Sequence, residues 1–121
     1  GEDCFNGPSV EIQSGAFIGR GTRVQSHSFV CDLVTIGEDC FIGHGVKFVN
    51  DTFATGGPAR GDRSLWRTTT VGNRVSIGSN ATILPVRIAD DVVIGAGAVV
   101  TRDLTERGIY AGNPAKLLRR L

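Results

Sequence analysis

Aliphatic side chains recur every six residues along most of the chain. The position two before each of them is small or β-branched, and residues two apart share one face of a strand. A period of six fits neither an α-helix nor long alternating strands. The pattern predicts short strands, each of which points one small and one large side chain into a narrow interior. The large positions are Ile12, Ile18, Val24, Val30, Ile36, Ile42 and Phe48, then Val71, Ile77 and Ile83, then Ile88, Ile94 and Val100.

The third position after each large residue predicts a sharp corner. Gly, Asn, Asp and His tolerate positive φ better than other residues, and they dominate this position. Three short strands per turn, joined by such corners, would stack as a triangular prism, which is a parallel β-helix. The 17 glycines, about twice the usual share, are accounted for by corners and close coil contacts. The corner residues are Gly15, Gly21, His27, Asp39, Gly45, Asp51, Asn80, Asp91 and Gly97, with Leu33, Arg74 and Val86 as exceptions.

The repeat is interrupted twice at one corner of the predicted prism. If Ile12 starts face A, Ile18 starts face B and Val24 starts face C, then Phe48 lies on face A. The next face is reached only at Val71, an excess of 17 residues over the regular spacing. The step from Ile83 to Ile88 is one residue short and falls at the same A–B corner. A long loop in a compact repeat is usually functional, so this corner is a candidate site.

Charge, hydropathy and cysteine content narrow the class of protein. A net charge of +1 argues against a nucleic-acid partner. No apolar run approaches the roughly 20 residues that span a bilayer, so membrane insertion is not expected. Cys4, Cys31 and Cys40 cannot all pair, and none forms a CxxC motif. These features are typical of reduced thiols in a cytoplasmic protein.

The hexads from Val10 to Thr101, with the tail Tyr110 to Lys116, resemble the hexapeptide-repeat acyltransferases. The resemblance implies an all-β, left-handed parallel β-helix with one long protruding loop and a short C-terminal helix over Pro114 to Leu121. It implies one domain, 1–121, with the repeat at 10–105, the loop at 51–67 and the tail at 106–121. The order Phe48-Val49-Asn50-Asp51-Thr52 looks like the subset that acts on amino groups of nucleotide-linked sugars, substrates of polysaccharide biosynthesis.

In that family a homotrimer holds acyl-CoA, commonly acetyl-CoA, in the groove between neighbouring prisms. A stacking period of 18 residues, with the loop removed, places Ser26–His27, His44–Gly45, Ser79–Asn80 and Ala96–Gly97 in one column at the C–A corner. Each residue type implied as a CoA contact also suits a tight corner or a solvated tail. The implied contacts are Ser79 and Ala96 to the pantetheine, Thr101 and Arg102 nearer the adenine, and Lys116 and Arg119 to the phosphates.

Acyl transfer needs a nucleophile, a proton acceptor and a donor for the developing oxyanion. Many relatives use a histidine at the base of the long loop, and residues 51–67 contain none. A neutral amine needs less help from a base than a hydroxyl does, so this loop favours N-acylation. Asn50 is expected to position the amine, and Asp51 to hydrogen-bond it or accept its proton. His27 and His44 are two further catalytic candidates, although a corner or surface role explains each equally well.

The sequence therefore predicts an acyl-CoA-dependent N-acyltransferase that acts on an amino sugar, linked to a nucleotide. The alternatives are an O-acetyltransferase that acts on a sugar or small hydroxyl compound, and a non-catalytic β-helix scaffold. A zinc hydratase on this fold needs three histidine ligands, and the chain has two histidines. No metal is expected.

Overall fold

The computed structural model describes all 121 residues as three parallel sheets around one core. Consecutive strands fall on consecutive faces, as the hexads predict, and each pairs with the strand one coil away. Face A contains β2 (Glu11–Ile12), β5 (Phe29–Val30), β8 (Lys47–Phe48), β11 (Thr82–Ile83) and β14 (Val99–Val100). Face B contains β3 (Phe17–Ile18), β6 (Val34–Ile36), β9 (Thr69–Val71) and β12 (Arg87–Ile88). Face C contains β1 (Phe5–Asn6), β4 (Arg23–Val24), β7 (Phe41–Ile42), β10 (Ser76–Ile77), β13 (Val93–Ile94) and β15 (Gly108–Ala111), with β16 (Lys116–Arg120) at its end.

The large hexad residues stack directly above one another inside the prism. Ile42 pairs with Val24 on one side and with Ile77 on the other. Together with the small hexad positions they form one cluster of 24 buried residues. Cys40, which occupies the small position two residues before Ile42, belongs to this cluster at 2% exposure.

Three hydroxyl side chains at the small hexad positions, those of Thr22, Ser28 and Thr69, are buried, and each has a hydrogen-bond partner. Thr22 Oγ1 donates to the Gly37 carbonyl oxygen and accepts the Cys40 N–H. Ser28 Oγ does the same between Gly43 and Val46. Buried polar groups of this kind are tolerated when each has a partner, and here they join successive coils.

Most predicted corners have positive φ. Two corner positions that hold an unexpected residue type have positive φ as well. Leu33 and Arg74 adopt φ values of 71° and 54°, although neither residue type favours them. The stacked coils impose the corner even where the side chain does not prefer it. The prediction that Asp51 is a positive-φ corner is wrong. Asp51 forms an isolated antiparallel bridge with Trp66, and the loop residue Phe53 takes the positive φ instead.

The predicted C-terminal helix is wrong. The segment Lys116–Arg120 is strand β16, which pairs antiparallel with β15 and carries a register irregularity between Ile109 and Tyr110. Strand β15 is the last parallel strand of face C, so its outer hydrogen-bonding groups would otherwise be unpaired. The returning strand satisfies them, which a helix lying on the prism would not do.

The solenoid extends beyond the predicted repeat at both ends. Strand β1 precedes Val10, and β15 follows residue 105, so face C holds six parallel strands. The long loop leaves the prism between β8 on face A and β9 on face B, and the one-residue deletion lies between β11 and β12. Both irregularities are therefore at the A–B corner, as predicted. No helix has the length and apolarity that a membrane span requires.

Candidate active site

The corner column between faces C and A, here called the C–A edge, is built as the 18-residue period predicts. Its residues are Ser26–His27, His44–Gly45, Ser79–Asn80 and Ala96–Gly97. The N–H groups of Gly45, Asn80 and Gly97 donate to the carbonyl oxygens of Ser26, His44 and Ser79 at 3.0, 2.8 and 2.8 Å. The side chains of His27 and His44 are exposed, as is Ala96, while Ser79 is half-buried. The result is an open ladder of small and polar groups.

A lysine that the sequence reasoning missed lies against the C–A edge. Lys47 Nζ donates to the carbonyl oxygens of His27 and Gly45 at 2.8 and 3.1 Å. Two of its three N–H groups are thus occupied, and the third is free for a ligand. An outward position on a strand of face A gave no hint of this contact, because it depends on where the coil below turns.

Asp51 organises the long loop. Its two carboxylate oxygens accept the backbone N–H groups of Phe53 at 3.0 Å and Ala59 at 2.7 Å. Ala59 is buried, which makes this bond an internal tie of the loop. The carboxylate predicted to receive the acceptor's proton is therefore already bonded to the backbone.

Asn50 is held by the coil below it. Its Nδ2 donates to the Asp32 carbonyl oxygen at 3.0 Å, and its backbone carbonyl oxygen accepts the Arg67 N–H at 2.8 Å. Because Nδ2 is engaged in this way, the amide orientation is fixed. Oδ1 has no hydrogen-bond partner within the chain and is available as an acceptor.

Asp32, also missed from sequence, connects three parts of this region. Its Oδ1 accepts the Gly15 N–H at 2.7 Å, and its Oδ2 pairs with Arg63 Nη1 at 3.3 Å. The Asp32 side chain is 15% exposed, so this pair is better shielded from solvent than the other ion pairs of the chain. The guanidinium of Arg63 in turn lies 4.8 Å from the centre of the Trp66 ring. The Asp32–Arg63 pair thus ties the long loop to the prism.

A hollow of about 380 Å³ lies between face A and the long loop. We call it the loop hollow. Phe29, Phe53 and Trp66 supply aromatic surface, and Asn50 and Lys47 supply polar groups. The buried Cys31 also lines it, and burial raises the pKa of this thiol to about 11. Near neutral pH Cys31 is therefore a protonated, weakly polar part of the wall.

The residues predicted to contact the cofactor fall into separate groups. Ser79 and Ala96 lie on the C–A edge, as described. Arg102 and Lys116 line one hollow of about 430 Å³ at the C-terminal end of the prism, and Thr101 precedes Arg102 directly. Arg119 lies on strand β16 opposite Ile109 and does not line that hollow.

The predicted catalytic residues occupy opposite edges of face A. His27 and His44 are on the C–A edge, whereas Asn50 and Asp51 follow β8 at the A–B corner. One copy of the chain therefore does not bring either imidazole to Asn50. No group of three or more His, Cys, Asp or Glu side chains is arranged to hold a metal ion.

Comparison with known proteins identifies the repeat. Residues 33–46 and 68–102 match a family model described as the hexapeptide repeat of succinyl-transferase. Serine acetyltransferase from Helicobacter pylori is 38% identical over 112 residues, which cover 90% of this chain and 60% of that protein. Galactoside O-acetyltransferase from Escherichia coli is 33% identical over 131 residues, which cover 100% of this chain and 63% of that protein. The chain thus spans somewhat less than two thirds of the length of these relatives.

Solved structures agree with the sequence matches. Galactoside acetyltransferase in complex with coenzyme A superposes with a TM-score of 0.83 at 30% identity, over 99% of this chain and 63% of that one. A GDP-perosamine N-acetyl transferase mutant from Caulobacter crescentus superposes with a TM-score of 0.61 at 23% identity, over 98% of this chain and 52% of that one. This similarity supports the fold alone. The predicted all-β left-handed parallel β-helix is confirmed. By its repeat, its sequence relatives and its superposition, the chain is similar to the hexapeptide-repeat acetyltransferases.

Proposed function

We propose that the protein transfers an acetyl group from acetyl-CoA to the amine of an amino sugar. The natural acceptor in this proposal is an amino sugar linked to a nucleotide. The observation that carries the transferase part is the C–A edge, an open ladder of backbone and small polar groups along the prism. Extended pantetheine amides suit such a ladder, because each can exchange hydrogen bonds with backbone groups. The structure of galactoside acetyltransferase with coenzyme A supports a CoA ligand for this fold.

The choice of an amine rests on the long loop. Residues 51–67 contain no histidine, and both oxygens of Asp51 already accept backbone N–H groups. The loop itself therefore supplies no general base for a hydroxyl acceptor, so any base has to come from a histidine of a second copy. A neutral amine has a free lone pair, and Asn50 Oδ1 is a free acceptor for one of its N–H groups.

The proposed reaction is a direct displacement. The amine nitrogen attacks the thioester carbonyl carbon, a C–N bond forms, and the carbonyl oxygen becomes negatively charged. Collapse of this intermediate breaks the C–S bond and releases the CoA thiolate, and the nitrogen loses one proton. His27 or His44 is the candidate carrier of that proton, which ends on the thiolate or in solvent.

A homotrimer is part of the proposal. Asn50 and the two histidines lie at opposite edges of face A, so one prism cannot assemble them. If the C–A edge of a second copy faces the long loop of the first, the imidazoles and Asn50 meet in one groove. At the end of that groove, Thr101, Arg102 and Lys116 would receive the nucleotide part of CoA, with Arg119 a more distant candidate. Cationic side chains suit its phosphates.

An O-acetyltransferase is the second candidate, favoured by the Escherichia coli relative that acts on galactosides. The test is thiol release from acetyl-CoA with UDP- and dTDP-linked amino sugars, compared with galactosides and serine. Products are then treated with hydroxylamine, which cleaves esters and leaves amides intact. A hydroxylamine-stable product is expected. An ester product would favour O-acetylation, and a chain that binds no CoA by calorimetry would be a scaffold.

A further inference from the structure

The loop hollow has a composition that the family repeat does not require. A solenoid wall needs large residues inside the prism, yet Phe29, Phe53 and Trp66 present aromatic surface outside it. Phe53 is 60% exposed and adopts a φ of 55°. An exposed aromatic residue in a left-handed conformation is unfavourable by itself. The loop nevertheless holds it there through the bond from the Phe53 N–H to Asp51.

The position of Trp66 is fixed just as firmly. Its ring lies under the Arg63 guanidinium, which the largely buried Asp32 carboxylate holds. Its backbone forms the isolated bridge with Asp51. Two independent ties therefore keep one wall of the hollow in place. Such preorganisation favours binding, because less freedom is lost when a ligand arrives.

The polar groups of the hollow indicate what it can hold. Asn50 Oδ1 is a free hydrogen-bond acceptor at the A–B corner, and Lys47 is a cation at the opposite end. Aromatic rings offer flat apolar surface to the C–H face of a sugar ring or to a base. A volume of about 380 Å³ lies at the lower end of the range for small-molecule sites.

We propose that the loop hollow is the subsite for the ring of the acetyl acceptor. The ring lies against Phe53 and Trp66, its amine donates to Asn50 Oδ1, and an anionic substituent such as a diphosphate extends toward Lys47. Asp32 and Arg63 are positioning residues: Arg63 acts on the ligand through Trp66, and Asp32 acts through both Trp66 and Asn50. This inference rests on the proposed function and adds to it the side chains that select the acceptor.

Trp66 is the only tryptophan of the chain, so its fluorescence reports on the hollow directly. The full chain is titrated with the same UDP- and dTDP-linked amino sugars, without acetyl-CoA. At least one is expected to change the fluorescence saturably. Phe53→Ala should weaken that binding by about fivefold to tenfold, the size of an aromatic contact. Phe17→Ala is the matched control, since Phe17 is 61% exposed on face B, and it should leave binding unchanged.

The outcomes separate the two proposals. An amino sugar that releases thiol but neither changes Trp66 fluorescence nor responds to Phe53→Ala overturns the subsite and leaves the reaction standing. Saturable binding that weakens in Phe53→Ala, without thiol release, supports the subsite and contradicts the reaction. If no member of the panel gives either signal, both proposals are wrong for this class of acceptor. Coenzyme A binding by calorimetry should be equal in both variants and the parent chain.

Discussion

Asn50 Nδ2 donates a hydrogen bond to the Asp32 carbonyl oxygen at 3.0 Å, across one coil of the prism. This bond does more than join two coils, because it determines which end of the Asn50 amide is free. The free end is Oδ1, an acceptor that suits an incoming N–H group. The same Asp32 holds Arg63, so one residue fixes both the amide and the loop beside it.

Asn50→Ala should lower kcat at saturating acetyl-CoA by roughly tenfold to a hundredfold, because one positioned polar contact to the reacting group is lost. Asn73→Ala is the matched control: Asn73 Oδ1 also bridges coils, by accepting the Glu38 N–H, but at the B–C corner. Steady-state kinetics of both variants measure the change in kcat. Equal turnover in Asn50→Ala and the parent chain would remove Asn50 from the site.

Asp51→Ala should loosen the long loop, because two backbone N–H groups lose a charged acceptor. Each such bond contributes about 1.5 to 3 kcal/mol, which is enough to open the loop without unfolding the core. Trypsin should then cleave faster after Arg60 and Arg63, as followed by mass spectrometry. An unchanged cleavage rate would show that Asp51 does not hold the loop.

Cys31 should make stability fall at alkaline pH. Burial raises its folded-state pKa to about 11, so the thiol stays protonated in the folded chain while the unfolded chain ionises near pH 9. The contribution of the protonated Cys31 thiol to the free energy of unfolding is therefore fully present below about pH 9. It is lost as the pH rises toward 11, and the free energy of unfolding falls by about 2 to 3 kcal/mol in all. Urea unfolding at pH 8 and pH 10.5 measures it. Cys31→Ala should show a shallower decline over that interval, and an identical decline would contradict the assignment.

Gly43→Ala should destabilise the prism. A Cβ at this buried glycine would lie 2.8 Å from the Ile77 carbonyl oxygen and 2.8 Å from the Ser79 nitrogen. Forcing the coils apart should lower the free energy of unfolding by about 1 to 3 kcal/mol. Gly57→Ala is the control, because nothing lies within 4 Å of its Cβ position, and its unfolding midpoint should stay the same or rise slightly. Chemical denaturation distinguishes the two variants.

The proposed shared site requires association. Light scattering should give a mass three times that of the chain, and the dissociated form should not transfer acetyl groups. A fully active monomer would refute the assembly of Asn50 and the histidines across two copies.

The hexad pattern predicted the three faces, the stacking of the large residues and the A–B corner as the place where the loop leaves. These features are local or periodic: a side chain two residues away shares a strand face, and a constant interval places it above its counterpart. Even so, corner residue types were an imperfect guide. Leu33 and Arg74 turn as sharply as Asn80 because neighbouring coils impose the geometry.

The tail shows where sequence reasoning ended. Nothing periodic distinguishes residues 116–120, and their conformation depends on the unpaired edge of β15, which exists only once the last coil is stacked. The sequence analysis predicted only a short helix there, and the returning strand follows from that edge.

By itself, the sequence determined the β-helix, its register and the position of Asn50 and Asp51 beside the loop. Only the tertiary structure decided which groups those residues contact. Asp32 meets Gly15, Asn50 and Arg63 from 17, 18 and 31 residues away, and Lys47 reaches the turn of a different coil. Such contacts carry no periodic signal, because they depend on how the irregular loop folds back onto a regular wall. The stacked coils of the β-helix could therefore be predicted from the sequence, whereas the side-chain arrangement of the candidate site could not.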